Sequence, residues 1–237
     1  MTEELNIAIN NLYSTFAGYP RNPVMEGCPC CVSNTDKENL HAKPLKELEE
    51  EDISKYAFKA MTTWGSVEDF KHYLPRIFEL TATADFVVDT FIVLGKLNYG
   101  NWRMWPQEEQ DCVTAFLFAL WSDGVNHRPG FDDDAFFTIY ALTGSIEELL
   151  IRWVINFDDN SFLNYVDFIY NNYHNLKNKL RPFRDMNNAA VEKLAHWIDS
   201  KAGMLEQGFF HYAQTDREIT GRISAAEYIL RPFMINK

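Results

Sequence analysis

The chain has 237 residues, and 46% hydrophobic residues with 15% aromatics are enough for a packed core, which excludes a disordered chain and a small disulfide scaffold. Six Trp, 11 Tyr and 18 Phe against 11 Gly and 9 Pro describe few tight turns and argue against an all-β barrel or sandwich. With 22 basic and 34 acidic residues, net −12, it lacks the basic footprint that nucleic acid or an anionic membrane requires; a basic protein partner suits this balance.

The opening residues Met1 to Asn6 carry neither the basic nor the apolar region of a secretory signal. The densest apolar stretch, Val113 to Trp121, is well short of the roughly 18 residues that span a bilayer, so a cytoplasmic protein is expected. Leu5, Ala8, Ile9, Leu12, Tyr13 and Phe16 fall at helical spacing behind Glu3 and Glu4, which suit the positive end of a helix dipole. Residues 18–43 lose that periodicity: Pro20, Pro23, Gly27 and Pro29 punctuate a long loop that carries Cys28, Cys30 and Cys31. Ile53, Tyr56, Ala57, Ala60, Met61 and Trp64 then share a helical face that Gly65 ends. Ser66 and Asp69 form a capping signal for the next helix, in which Pro75 either makes a kink or starts a new helix. Phe86 to Leu97, rich in Val, Ile and Phe, reads as a strand or a buried helix, the helix favoured by helical neighbours on both sides, and Trp105-Pro106 followed by Glu108 and Glu109 is a strong helix start.

Beyond Gly124, helical stretches are predicted at 133–142, 146–156, 161–180, 187–201, 203–213 and 216–230. Leu180-Arg181-Pro182-Phe183 recurs fifty residues on at Leu230-Arg231-Pro232-Phe233, a spacing near that of paired-helix repeats. The expectation is an all-α, irregular multi-helix stack with a HEAT-like solenoid as one form of its second half. It reads as a single helical domain, 1–237, with a candidate sub-boundary near 124–130.

The sharpest chemical feature is Cys28-Pro29-Cys30-Cys31. Soft thiolates bind zinc, and Cys28, Cys30 and Cys31 with His41 could complete a tetrahedral site. Two other readings stand beside it. The adjacent Cys30 and Cys31 are hard to aim at one metal without backbone strain, which favours an inert loop, and Cys28 with Cys31 makes a C-x-x-C redox pair without the usual βαβ context. The acidic runs Glu49, Glu50, Glu51 and Asp132, Asp133, Asp134 read either as solvated helix starts or as a surface that steers a basic partner. Tyr99, Trp102 and Trp105 read equally as partner anchors or as core. The histidines at 41, 72, 127, 174, 196 and 211 show no ligand spacing, and Gly-x-Ser-x-Gly, Gly-x-Gly-x-x-Gly and P-loop motifs are absent, so no complete catalytic signature exists. Arg76 and Glu79 can pair along a helix.

Taken together, Tyr19-Pro20, Cys28-Pro29-Cys30-Cys31, Thr63-Trp64-Gly65, Lys71 to Arg76 with Glu79-Leu80, and Trp102 with Trp105-Pro106 and Glu109 resemble a family of uncharacterised bacterial proteins with the same order of motifs, over residues 12–122. The resemblance implies a bacterial cytosolic origin and carries no catalytic assignment. The Cys-Pro-Cys-Cys element is also similar to short cysteine-rich bacterial domains presumed to bind metal. The leading functional expectation is an acidic module that masks a basic protein, such as a toxin domain, as immunity proteins do. The alternatives are a metal-dependent enzyme at the cysteine loop and a helical scaffold.

Overall fold

In the computed structural model, which describes residues 1–83 and 86–234, every regular element is helical, with no strand among the described residues. The all-α class follows the periodicity of the sequence. Two compact units divide the chain, Met1–Leu120 and Trp121–Lys237. No helix among the described residues is long and apolar enough to cross a membrane.

In the first unit, helix α1 (Glu3–Thr15) starts under Thr2, whose hydroxyl accepts from the Leu5 amide, and buries Leu5, Ala8, Ile9 and Leu12 against α4 (Val67–Ala82). The stretch 18–43 is not loop throughout, because its end forms α2 (Asn34–His41). That helix buries one apolar residue, Leu40, so no hydrophobic period announces it. It is held instead by a reciprocal cap between Ser33 and Asp36, by packing on α3 (Glu50–Lys59), and by Lys55 reaching Asp36 at 2.5 Å.

Glu49 and Asp52 cap the start of α3, which buries Ile53, Tyr56 and Ala57. Helix α4 runs unbroken from the Ser66 and Asp69 cap through Pro75, so the proline lies inside it rather than starting a new helix. From Phe86 onward the chain becomes helical only at Thr90, as α5 (Thr90–Tyr99). Its Lys96 is buried and donates to the carbonyls of Phe58 at 2.5 Å and Ala60 at 3.1 Å, closing the end of α3. Helix α6 (Gln107–His127) follows Pro106, and Phe116 stacks on Phe78 with ring centres 4.8 Å apart.

The second unit contains α7 (Asp133–Thr143), α8 (Ile146–Arg152), α9 (Ser161–Lys177), α10 (Asn188–Ser200), α11 (Gly203–Tyr212) and α12 (Arg217–Met234). Helix α9 is its centre and packs on both α10 and α12. Trp153 is buried among Phe131, Phe168 and Tyr165, and its indole N–H donates to the Ser161 carbonyl at 3.1 Å. Gly208 of α11 lies directly on the Phe162 ring, where a Cβ would collide. The two Leu-Arg-Pro-Phe copies differ in conformation: the first is a turn leading into the 3-10 turn Phe183–Asp185, and the second lies within α12. The tetrapeptide therefore marks no repeated structural unit.

Candidate metal centre

The cysteine loop is pinned before it turns. Gly27 pairs with Trp64 in an isolated antiparallel bridge, the Cys28 amide donates to Thr63 at 2.8 Å, and the Gly65 amide donates to Glu26 at 2.8 Å. This ties the segment to the α3–α4 connection. A Cβ at Gly27 would stand 3.1 Å from Val32 Cβ and 3.3 Å from Trp64 Cδ1, and Gly65 has φ +74°, so both glycines are needed for the close approach.

The next four residues form one tight turn. The Cys28 carbonyl accepts from the amides of Cys31 and Val32, both at 2.9 Å, while Pro29 fixes φ at the second position. The turn gathers the thiols: Cys28 Sγ lies 2.9 Å from Cys30 Sγ, which lies 3.5 Å from Cys31 Sγ, and all three are within 4.8 Å of one another. Adjacency of Cys30 and Cys31 is therefore no obstacle to shared ligation. A tetrahedral ion with metal–sulfur bonds of about 2.3 Å holds its sulfurs roughly 3.8 Å apart, within about an ångström of these spacings.

Electrostatics follow from this proximity. Hydrogen bonds from Cys30, then Cys31, hold the Cys28 thiol below its ordinary value, while the same contacts push Cys30 up to about 11. Cys28 therefore deprotonates ahead of Cys30, and a bound cation favours the thiolate of Cys30. Cys30 is exposed and its two neighbours are partly so, beside a shallow groove of about 370 Å³ lined in part by Glu26, Met61 and Thr62.

His41 does not join the cluster. It is the last of the eight residues of α2, a rise of about 12 Å from the cap, and among the described residues the three cysteines alone form a metal-capable group. Cys112 sits in α6 with its thiol pushed up by burial.

The expected partner surface is largely reassigned. Trp102 and Trp105 are only 3% and 6% exposed, so neither can anchor a partner. The Trp105 ring meets Phe16 edge-on at 6.0 Å, and its N–H donates to Gly100 at 2.8 Å. Tyr99 alone of the three is exposed. Glu49 accepts from Lys43 at 2.6 Å, Glu50 accepts from the Val87 amide at 3.1 Å, and Glu51 is exposed. Asp132 caps α7, the partly buried Asp133 accepts from Asn172 at 2.8 Å with its carboxyl pushed up by burial, and Asp134 is exposed. Arg76 pairs with Glu79 at 2.6 Å.

Sequence reasoning missed a buried triad. Lys71 Nζ lies 2.6 Å from Glu109 and donates to the Tyr19 hydroxyl at 2.9 Å, which in turn donates to Glu109 at 2.6 Å. The triad is closed on itself and staples the start of the cysteine segment to α4 and α6, and no short-range spacing signals it. The chain matches no protein-family model, no curated protein and no solved structure.

Proposed function

We propose that the protein binds and exchanges a thiophilic metal ion, zinc or copper(I), at the Cys28-Pro29-Cys30-Cys31 turn. The observation that carries this reading is the convergence of three thiols within 4.8 Å on one pinned turn. Structural zinc sites are closed by four protein ligands, whereas sites that act on a bound species keep a position open. Three sulfurs at an exposed turn with no fourth His, Cys, Asp or Glu beside them among the described residues suit the open kind.

The test is titration of the reduced, metal-free chain with cadmium, and with copper(I) in parallel, followed by thiolate-to-metal charge-transfer absorbance and proton release. One equivalent should saturate the absorbance, and Cys30→Ser should abolish tight binding while helical circular dichroism is unchanged. Absence of a thiolate band, or a band that survives Cys30→Ser, refutes the reading.

Masking of a basic protein is a second reading, supported by the surplus of 12 negative charges. Its test is affinity capture at low and high salt, with one stoichiometric basic protein lost at high salt as the supporting result. Retention that is insensitive to salt counts against it.

A further inference from the structure

A second concavity in the first unit forms where Arg21, the end of α2, the turn over 42–48 and α4 come together, with a volume of about 420 Å³. That is the size of a small-molecule site. Pro44 and Leu45 give it an accessible apolar wall, while Leu40 and Leu48, also in its lining, are fully buried. Every ionisable side chain in its lining apart from the phenol of Tyr73 is basic, namely Arg21, His41, Lys43 and His72, in a chain whose net charge is −12.

These basic groups are not equally committed. Lys43 is already answered by Glu49 at 2.6 Å and Asp52 at 2.9 Å. Arg21 has no carboxylate partner among the described residues; its Nη1 donates to the His41 carbonyl at 2.9 Å, which holds the guanidinium beside that histidine and leaves its other N–H groups for an acceptor. His72 Nδ1 donates to the Tyr19 carbonyl at 2.8 Å, leaving Nε2 for another partner. His41 Nε2 and the Tyr73 hydroxyl are buried without a hydrogen-bond partner among the described residues, and Tyr73 is 2% exposed. Buried polar groups left unpaired cost stability, and a ligand that pairs them recovers it.

We propose that this pocket binds a small organic oxyanion, its carboxylate or phosphate head held by Arg21 with His41 and His72 and its apolar body against Pro44 and Leu45. An uncommitted guanidinium suits either head, because both present paired oxygens to its fork of donors. The accessible apolar wall accounts for the organic part, since inorganic phosphate makes no use of Pro44 and Leu45. The inference stands apart from the metal reading, because no cysteine lines this pocket.

The experiment is calorimetric titration of the reduced full-length chain with phenyl phosphate, benzoate, benzyl alcohol and inorganic phosphate, with imidazole shifts followed by nuclear magnetic resonance. At least one of the two aromatic anions should bind with one equivalent, and benzyl alcohol about tenfold more weakly or worse. Preference between phenyl phosphate and benzoate identifies the head group. The imidazoles of His41 and His72 should shift, while those of His127, His174, His196 and His211 stay still. Arg21→Gln should weaken the anion about tenfold, the loss of one charge-assisted contact, and Arg184→Gln should not. His72→Gln provides a second variant should Arg21→Gln disturb folding. Failure of both aromatic anions to bind by about 10 mM, equal affinity for benzyl alcohol or inorganic phosphate, or unchanged affinity in a folded Arg21→Gln overturns the proposal.

Discussion

Replacing Gly65 by alanine tests how the thiol turn is held. Gly65 sits at φ +74°, where an L side chain costs about 1–2 kcal/mol. The new Cβ would stand 2.7 Å from Met25 Sδ and 3.1 Å from both Cβ and Oδ2 of Asp69. The thioether has rotatable bonds and can give way, although Met25 is buried. Asp69 cannot, because its carboxylate accepts from the Ser66 amide at 2.8 Å and its own amide donates to Ser66 Oγ at 3.2 Å, so moving it forfeits the start of α4. Crowding of that kind costs about 1–3 kcal/mol, and the stiffer unfolded chain returns roughly 0.4–1 kcal/mol. The balance is a loss of about 2–4 kcal/mol in the first unit. Gly144, at φ +71° with nothing within 4 Å of its would-be Cβ, carries the dihedral strain without the crowding and should lose only about 1 kcal/mol. Denaturant unfolding, with hydrogen exchange over residues 50–82 and 133–152 to read each unit, measures both. The Gly65 amide also carries the hydrogen bond to Glu26, so cadmium affinity at the cysteines should fall in Gly65→Ala and not in Gly144→Ala. A loss in Gly65→Ala no greater than in Gly144→Ala refutes the crowding argument, and an unchanged cadmium affinity refutes the claim that this connection aims the thiols.

Lys71→Met strands Glu109 in a buried site and should cost about 3–5 kcal/mol, most of it recovered in Lys71→Met/Glu109→Leu; denaturant unfolding that finds the double variant as unstable as the single removes the charge argument. Iodoacetamide at neutral pH should label Cys28 before Cys30 or Cys112, and bound metal should protect the cluster, as peptide mass spectrometry will show; first labelling at Cys112 contradicts the thiolate assignment. Gly95→Ala, in the open middle of α5, should raise stability by about 0.4–1 kcal/mol in thermal unfolding, since no atom lies within 4 Å of the added carbon. Burial, then Arg21 and His72, hold His41 below its ordinary 6.5 against the opposing pull of Asp69. The native state therefore binds this proton less readily than the unfolded chain, and the stability tied to it is complete above 6.5 and lost as pH falls through the native value; a His41→Gln variant should lose that acid sensitivity in unfolding curves taken across the range.

What was legible in the sequence was local. The Ser66 and Asp69 cap, the Pro106 start and the starts of the helices after Gly124 lie close to where spacing and capping place them, because each is written within a few residues, although the stretch predicted at 146–156 is helical only to Arg152. The three cysteines were visible as candidate ligands for the same reason. Their convergence was not, since it depends on Thr63 and Gly65, some 35 residues further along the chain. Helix α2 escaped because it buries one apolar residue and owes its existence to a cap and a neighbouring helix. Trp102 and Trp105 could not be assigned because a spacing of three marks a shared face without saying whether that face meets solvent or Phe16. The pocket around Arg21, His41 and His72 was silent altogether, for its residues have no mutual spacing and meet only through tertiary packing.

The acidity of the chain takes on a different meaning once its carboxylates are placed. Glu49, Asp52, Asp69 and Asp132 accept from backbone amides at the starts of α3, α4 and α7, and Glu3 and Glu4 stand in the first turn of α1. A chain whose described regular elements are all helices has many positive helix ends to answer, and Asp and Glu answer them most directly. Part of the acidic excess is thus a consequence of the fold rather than a signal of a partner, and the same holds for Asp36, which both caps α2 and binds Lys55. What remains is a negative field around the molecule, and such a field concentrates cations of any kind at its surface. A small metal ion profits from it without needing a shaped acidic face, whereas a masked protein needs anchors at the contact. The structure removes Trp102 and Trp105 from that role and gathers three thiols on one turn, and this contrast is why the metal reading is placed ahead of the masking one.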